Sequence, residues 1–223
     1  EIQRQAWAAY HGEHFARAAA KAYSRRVIAH VRRATVGGAA IENTHPFTDG
    51  HWVFAHNGTV PNFDEIRPIL LDRMSATHRQ AIKGQTDSEH VFHYFLSLQD
   101  SGAINPQSDL RGAIGQLVGD ITALAERHAS GKKLGLNIML TNGKQFAGSR
   151  INRSLYFVDR KGVYDCEICG FPHIHHNPQQ EYRATVIASE PVTHEQWVEI
   201  PNYSMWEMNK TGGLMIEDIR PSV

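Results

Sequence analysis

The chain of 223 residues has no net charge, no long apolar run and almost no cysteine. Lysine plus arginine and aspartate plus glutamate each number 23, so the charge balance favours neither a nucleic-acid nor an acidic-membrane partner. No apolar stretch approaches the roughly 20 residues of a membrane span, and the charged first residues lack the apolar core of a signal peptide. We therefore expect a soluble protein that binds no nucleic acid and no membrane.

The low cysteine content bears on the compartment. Only Cys166 and Cys169 occur, in a single CxxC pair, which excludes a disulfide scaffold. Such sparse use of cysteine is typical of proteins in a reducing compartment. We predict a cytoplasmic protein.

No internal repeat, low-complexity tract or linker divides the chain, so we predict a single domain over residues 1–223. Hydrophobic periodicity predicts helices at 6–22, 63–74, from 86 onward and at 110–128, and strands at 26–32, 52–55, 136–141, 145–148, 155–158, 184–188 and 214–219. Asn62 or Asp64 is the predicted cap of the second helix, and Thr86 with Glu89 fits a capping box. Because the two kinds of element are grouped rather than strictly alternating, the predicted fold class is α+β with antiparallel sheets.

The stretch FAHNG (54–58) ends an apolar, strand-like run on a side-chain amide and a glycine. One interpretation is a hairpin, because Asn-Gly is the strongest short-range signal for a type I′ turn. The other is an oxyanion hole, because an amide and an unobstructed backbone N–H can both donate to a carbonyl oxygen that becomes negative. These residues alone leave both interpretations open.

Three short segments in one order have the groups that a site for free glutamine needs. They read HVRRAT (30–35), HNG (56–58) and TDSE (86–89). Arg32 could hold the α-carboxylate, Asp87 could meet the α-ammonium, and Asn57 with Gly58 could stabilise an oxyanion. Alone, each has a simpler explanation: a solvated charge, a carboxylate favoured by a helix dipole, and a turn. Together they favour the catalytic interpretation, in which a tight turn aims the two donors.

With IENTHPF (41–47) and ATVIASEPVTHEQWVEI (184–200), these segments resemble the class II glutamine amidotransferases of the N-terminal-nucleophile hydrolase superfamily. The chain is most similar to the small stand-alone members, which carry no fused synthase, and the resemblance spans residues 26–220. It implies a four-layer αββα sandwich in which two antiparallel sheets pack face to face.

The resemblance also assigns roles to residues. Asn57 and Gly58 are the implied catalytic residues, as the oxyanion hole. The implied substrate-binding residues are Arg32, Thr35, His56 and Asp87, with His56 either positioning the oxyanion pair or touching the ligand. The implied mechanism is attack of an N-terminal cysteine thiolate on the glutamine amide, with its own α-amino group as the base, followed by hydrolysis of an acyl-enzyme. This chemistry requires no cofactor.

The sequence departs from the family pattern at its first residue, which is Glu1 and not cysteine or an initiating methionine. Cys166 and Cys169 cannot replace the nucleophile, because the mechanism uses the free α-amine of the same residue. We therefore expect the sequence to lack several tens of residues at its N-terminus. The alternatives are a Ser or Thr nucleophile, or a catalytically inactive ligand-binding or zinc-stabilised interaction protein on the same fold.

The amidohydrolase fold accounts for the whole length of the chain, so we expect no synthase domain within it. The expected partners are therefore separate molecules. Arg33 and Val36 also differ from the residues common in synthase-linked members, which argues against channelling of ammonia to a second domain. The expected ligand is glutamine or a γ-glutamyl small molecule. Either the ammonia goes to a partner protein, or the reaction is plain hydrolysis. A homodimer is a further expected assembly.

A cysteine and histidine patch lies late in the chain. Cys166, Cys169, His173 and His175 have the residue types and spacing for a tetrahedral Zn²⁺ site. Four protein ligands would leave no open position, so such a zinc ion would be structural. The alternative is two buried or unpaired cysteines beside a solvated, histidine-rich loop.

Overall fold

Two antiparallel sheets and four α-helices occupy the part of the chain that the computed structural model describes, which is residues 2–6, 24–31, 40–163 and 182–219. The helices are α1 (Phe63–Arg73), α2 (Ala76–Ala81), α3 (Asp87–Asp100) and α4 (Leu110–His128). The strands are β1 (Phe47–Asp49), β2 (Trp52–Thr59), β3 (Gly135–Thr141), β4 (Phe146–Arg150), β5 (Tyr156–Lys161), β6 (Arg183–Ala188), β7 (Val198–Glu199), β8 (Ser204–Met208) and β9 (Leu214–Asp218).

The large sheet has the strand order β1-β2-β3-β4-β8-β9, and the small sheet has the order β6-β5-β7. The central strand β3 shows how the large sheet is covered on both faces, because successive side chains of a strand point to opposite sides. Leu136, Ile138 and Leu140 are fully buried in the core that the helices share. Met139 packs instead in the cluster that includes the small sheet.

The two cores lie on opposite faces of the large sheet. On the helical face, Phe54 of β2 stacks on Phe92 of α3 with ring centroids 5.2 Å apart. On the other face, Trp206 of β8 is fully buried and packs in one cluster with Phe157 and Ile187 of the small sheet. The described layers are therefore helices, large sheet and small sheet.

The helix caps only partly follow the sequence signals. Thr86 caps α3, since its side chain accepts a hydrogen bond from the Glu89 amide at 3.2 Å. The Glu89 carboxylate does not complete a capping box, because it accepts from the amides of Lys83 and Gly84 at 2.9 and 2.7 Å. Asn62 precedes α1, but its side chain donates to the carbonyl of His128 at 3.0 Å and makes no capping bond.

Most of the predicted elements are confirmed within a few residues. The helix at 110–128 has the predicted bounds, α1 ends one residue early, and five of the predicted strands correspond to β3, β4, β5, β6 and β9. The short elements β1, α2, β7 and β8 were not predicted. The predicted helix at 6–22 lies outside the described residues, apart from its first. None of the described helices is both long and apolar enough to cross a membrane.

Two strand predictions are wrong. Residues 26–31 form no strand in the described part of the predicted range 26–32. Their burial alternates as in a strand, with Val27 and Val31 59% and 73% exposed, but no described strand pairs with them. The strand predicted at 52–55 does not stop before Asn57-Gly58 but continues to Thr59, so these residues form no turn. The physical reason is that β3 pairs with β2 along this whole stretch.

Candidate functional site

A cleft of about 1700 Å³ lies between the two sheets. Its walls include residues 55–59 of β2, 137–139 of β3, 86–88 at the start of α3, 183–188 of β6 and the extended segment 24–31. Two of these segments, 55–59 and 86–88, carry predicted site residues, and the segment 24–31 directly precedes one. The cleft is where a small ligand would contact them.

Asn57 presents its side chain to this cleft from the middle of the large sheet. It is exposed, and it lies directly opposite Asn137 of β3. Because side chains alternate along β2, Asn57 points away from the helical face that Phe54 packs against. Its amide makes no hydrogen bond to another described residue. The two amide hydrogens are therefore available to a ligand.

Gly58 leaves no room for a side chain where β2 pairs with β3. A Cβ atom built on Gly58 would lie 2.0 Å from the carbonyl oxygen of Gly135 and 2.7 Å from Nε2 of His56. No side chain fits at those distances. The glycine is therefore required by the packing of two strands and not by a turn with positive φ.

His56 connects the HNG strand with the neighbouring strand and with helix α3. It is buried, its Nε2 lies 3.0 Å from the carbonyl oxygen of Gly135, and its Nδ1 lies 2.9 Å from Oγ of Ser88. Because a carbonyl only accepts, Nε2 carries a hydrogen and donates it to Gly135, and Nδ1 makes its hydrogen bond with the Ser88 hydroxyl. Both ring nitrogens are thus used within the protein. This geometry favours the positioning role for His56 over direct contact with a ligand.

Asp87 places a buried carboxylate on the wall of the cleft. Oδ2 accepts from the amide of Val60 at 2.8 Å, and Oδ1 accepts from the amide of Ser88 at 2.8 Å. These bonds fix the orientation of the carboxylate and join the end of β2 to the start of α3. Oδ1 also lies 3.3 Å from the Ser88 hydroxyl, whereas Oδ2 has no second partner among the described residues and keeps an acceptor position, so the group can still meet a cation in the cleft.

Six predicted site residues lie outside the described part of the chain: Arg32, Thr35, Cys166, Cys169, His173 and His175. The segment just before the first of them does line the cleft, up to His30 and Val31. The structure therefore brings together Asn57, Gly58, His56 and Asp87.

The cleft also contains residues that the sequence analysis missed. Asn137 is 4% exposed and holds the connection after β4, because its Oδ1 accepts from the amide of Ile151 at 2.9 Å and its Nδ2 donates to the carbonyl of Ser154 at 3.0 Å. A lone amide in the apolar run GLNIML was the signal for it. Arg153 is exposed on the same wall, and nothing in its local sequence marked it.

On the wall of the cleft that the small sheet forms, the positive charge of Arg160 is compensated by Glu195. Hydrogen bonds from Arg160 hold the pKa of the Glu195 carboxyl below its usual range, and the Thr193 hydroxyl contributes in the same direction. The Arg160 guanidinium is therefore paired within the protein. Arg153 makes no such ion pair with a described residue, so it is the better placed of the two for an anionic ligand.

Comparison with known proteins places the chain in a family. The family model described as glutamine amidotransferases class-II matches residues 14–221. The probable glutamine amidotransferase DUG3 of Saccharomyces cerevisiae is 30% identical over 225 residues, which cover 91% of this chain and 62% of that protein. A further relative, from Haemophilus influenzae, is 27% identical over 188 residues, 80% of this chain and 58% of its own length.

Two solved structures show the same fold. The class-II domain protein described as a glutamine aminotransferase, from Silicibacter pomeroyi, has a TM-score of 0.58 and 22% identity, over 79% of this chain and 72% of that one. The glutamine phosphoribosylpyrophosphate amidotransferase of B. subtilis has a TM-score of 0.53 and 17% identity, over 87% of this chain and 35% of that one. The prediction of an α+β fold with two antiparallel sheets, of the N-terminal-nucleophile hydrolase type, is confirmed.

The chain spans about three fifths of the length of the first curated relatives, 62% and 58%. Within the chain itself, the family match runs over nearly all residues and includes every part of the cleft described above. The chain belongs to the class II glutamine amidotransferases.

Proposed function

We propose that the intact protein cleaves the side-chain amide of glutamine, or of a γ-glutamyl compound, in the cleft between the sheets. The observation that carries this proposal is the pairing of two groups on one wall. Asn57 offers an amide with no partner among the described residues, and Asp87 offers an oriented, buried carboxylate. An amide substrate with a free α-ammonium needs both.

The oxyanion is the centre of the proposed reaction. Nδ2 of Asn57 and the backbone N–H of Gly58 donate to the carbonyl oxygen as it becomes negative, where preorganised donors stabilise the transition state most. Beyond Phe54, β2 has no described partner on the side away from β3, because β1 pairs only with Trp52, Val53 and Phe54. The open edge leaves room for a substrate beside the HNG segment.

The remaining substrate contacts follow from charge. Asp87 pairs with the α-ammonium, and Arg32 with Thr35 holds the α-carboxylate, as the family resemblance implies. His56 keeps the strand and helix in register through Ser88 and the carbonyl of Gly135. The substrate is thereby held at both ends of its amino-acid group, with the side-chain amide directed to Asn57.

The proposed nucleophile is an N-terminal cysteine of the intact protein. Its thiolate adds to the amide carbon, the C–N bond breaks, and the leaving nitrogen takes the proton that the α-amine had accepted. Water then adds to the thioester carbon and gives a proton to the α-amine, the C–S bond breaks, and glutamate leaves as the thiol is restored. The nitrogen product is released as ammonia or an amine, or passes to a partner protein.

The test is an N-terminal sequence of the purified intact protein, followed by assays of Asn57→Ala. We expect a processed N-terminal cysteine and a fall in turnover of about 10²–10³-fold in the variant, the effect of removing one oxyanion donor. Asn105→Ala is the matched control, because Asn105 is exposed and lies outside the cleft. A loss below tenfold in a folded Asn57→Ala protein contradicts the assignment.

The products distinguish the two versions of the reaction. With glutamine alone, plain hydrolysis releases glutamate and ammonia in equal amounts at a rate that no other protein changes. Transfer to a partner predicts a low rate that rises when the acceptor protein is added. Binding of glutamine without any turnover, in a protein that carries the N-terminal cysteine, contradicts the proposal and supports the ligand-binding alternative.

A further inference from the structure

Three potential metal ligands meet where β1, α2 and α3 come together. Asp49 is the last residue of β1, His78 lies in α2, and His93 lies on α3. One ring nitrogen from each histidine and one carboxylate oxygen of Asp49 all lie within 4.8 Å of one another. The ring centroids of the two histidines are 5.8 Å apart. Residues from three separate elements thus converge on one point.

The two histidines are buried but incompletely satisfied. Each is 6% exposed, and Nδ1 of each is buried with no hydrogen-bond partner among the described residues. Leaving a buried polar atom unpaired is unfavourable, and native proteins seldom leave two side by side. A bound cation is the simplest ligand that would satisfy two imidazole lone pairs at once.

Nε2 of His78 has a carboxylate partner of the kind that holds metal-binding histidines in place. Its Nε2 lies 2.9 Å from Oδ2 of Asp100 and therefore donates its hydrogen to that carboxylate. In the neutral ring of that tautomer, the lone pair is on Nδ1. A carboxylate that holds the second ring nitrogen is the usual support for a metal-binding histidine.

We propose that Asp49, His78 and His93 bind a divalent transition-metal ion, for which Zn²⁺ is the best fit. Two imidazoles and one carboxylate form a common zinc ligand set, and water completes the tetrahedron. Ligand atoms around tetrahedral zinc are about 3.3–3.6 Å apart, from bonds of about 2.0–2.2 Å. Asp49 is exposed, so its side chain is free to move inward by the small distance that this requires.

The site is separate from the cleft. Asp49 pairs with Trp52 at the start of β2, and Asn57 lies five residues further along that strand. At about 3.4 Å per residue the two points are roughly 17 Å apart. None of the three ligands lines the cleft. An ion bound there would join the β1–β2 hairpin to α2 and α3, the helix that carries Asp87.

The test measures zinc binding to the full chain, in a Cys166→Ser, Cys169→Ser background that removes the thiolates of the other predicted zinc site. Calorimetric titration should give one zinc ion per chain, and Mg²⁺ should not compete, because imidazole ligands disfavour it. Asp49→Asn should weaken zinc binding at least tenfold, and His93→Gln should do the same. His51→Gln is the matched control, because this exposed histidine is two residues from Asp49 but outside the cluster.

Thermal denaturation provides the second measurement. The same zinc concentration should raise the melting temperature of the background protein and of His51→Gln by more than that of Asp49→Asn. Because Asp49 is exposed, its substitution tests the site without disturbing the core. The proposal is overturned if the background protein binds no zinc, or if Asp49→Asn and His51→Gln bind it equally.

Discussion

At the scale of single residues, packing can demand the same amino acid as catalysis. Gly58 is proposed to be part of the oxyanion hole, and a side chain there would also collide with the carbonyl of Gly135 on the next strand. Packing places no such constraint on Asn57, because its side chain is exposed and unpaired within the described residues. A substitution of Asn57 therefore tests the proposed catalytic role alone. A substitution of Gly58 changes both catalysis and strand packing.

We predict that Gly58→Ala destabilises the protein by about 1–3 kcal/mol or more, the usual cost of forcing extra atoms into a packed interior. The cause is the 2.0 Å separation that its Cβ would have from the Gly135 oxygen. Urea denaturation measures the change in the free energy of unfolding. Gly119→Ala in α4 is the control, since no described atom lies within 4 Å of its Cβ, and helix propensity predicts a gain of up to about 1 kcal/mol. Equal stability of Gly58→Ala and the parent protein would contradict the steric argument.

At the scale of elements, predictions from local signals were correct where no distant part of the chain intervened, and wrong where long-range strand pairing did. Helix α4 was predicted with its observed bounds, because its periodicity and its cap are local: Asp109 accepts from the Gly112 amide at 2.8 Å. The end of β2 was predicted wrongly. Asn57-Gly58 is a strong hairpin signal, but pairing with β3, nearly eighty residues later, overrides it.

The distinction between local signals and long-range contacts also explains which candidate site residues could be predicted from the sequence. The HNG and TDSE segments were recognised because each is contiguous, and the structure joins them through His56–Ser88 and Val60–Asp87. The Asp49, His78 and His93 cluster could not be predicted, because its three residues come from three elements with no common spacing. Only the folded arrangement brings their ligand atoms together.

Helix α3 carries Asp87 of the proposed substrate site and His93 of the proposed metal site, so its N-terminal cap has consequences for each proposal. We predict that Thr86→Ala lowers the free energy of unfolding by about 1 kcal/mol, within the usual range for a lost N-cap. The reason is the lost hydrogen bond from the Glu89 amide to the Thr86 hydroxyl. Thr77→Ala in α2 is the control, because Thr77 is exposed and lies inside a helix. Identical unfolding curves for Thr86→Ala and Thr77→Ala would show that the cap contributes nothing.

At the scale of the whole molecule, the helical layer holds the large sheet on one face and thereby positions the cleft on the other. Contacts between helices are mostly apolar, but Tyr94 of α3 also donates a hydrogen bond to Oδ2 of Asp120 in α4 at 2.8 Å. Tyr94 is 4% exposed. This bond ties the helix that carries Asp87 and His93 to the longest helix of the described chain.

The Tyr94 hydroxyl makes the stability of this layer dependent on alkaline pH. Burial raises the pKa of Tyr94 to about 12, and the hydrogen bond to Asp120 adds to the shift. An unfolded chain loses this proton near pH 10, so above that pH the unfolded state binds fewer protons than the folded state. The contribution of Tyr94 to stability is therefore complete below pH 10 and is lost as the pH rises towards about 12.

Tyr94→Phe should remove this part of the pH dependence. We predict that the free energy of unfolding, measured by urea denaturation between pH 8 and about 11, falls less steeply above pH 10 in Tyr94→Phe than in the parent protein. Tyr203→Phe is the control, because Tyr203 is 37% exposed and its substitution should leave the slope unchanged. Since lysines also titrate in this range, only the difference between the parent and each variant is informative. Parallel curves for the parent and Tyr94→Phe would mean that Tyr94 loses its proton equally readily in both states, and that the contact between α3 and α4 does not shield it from water.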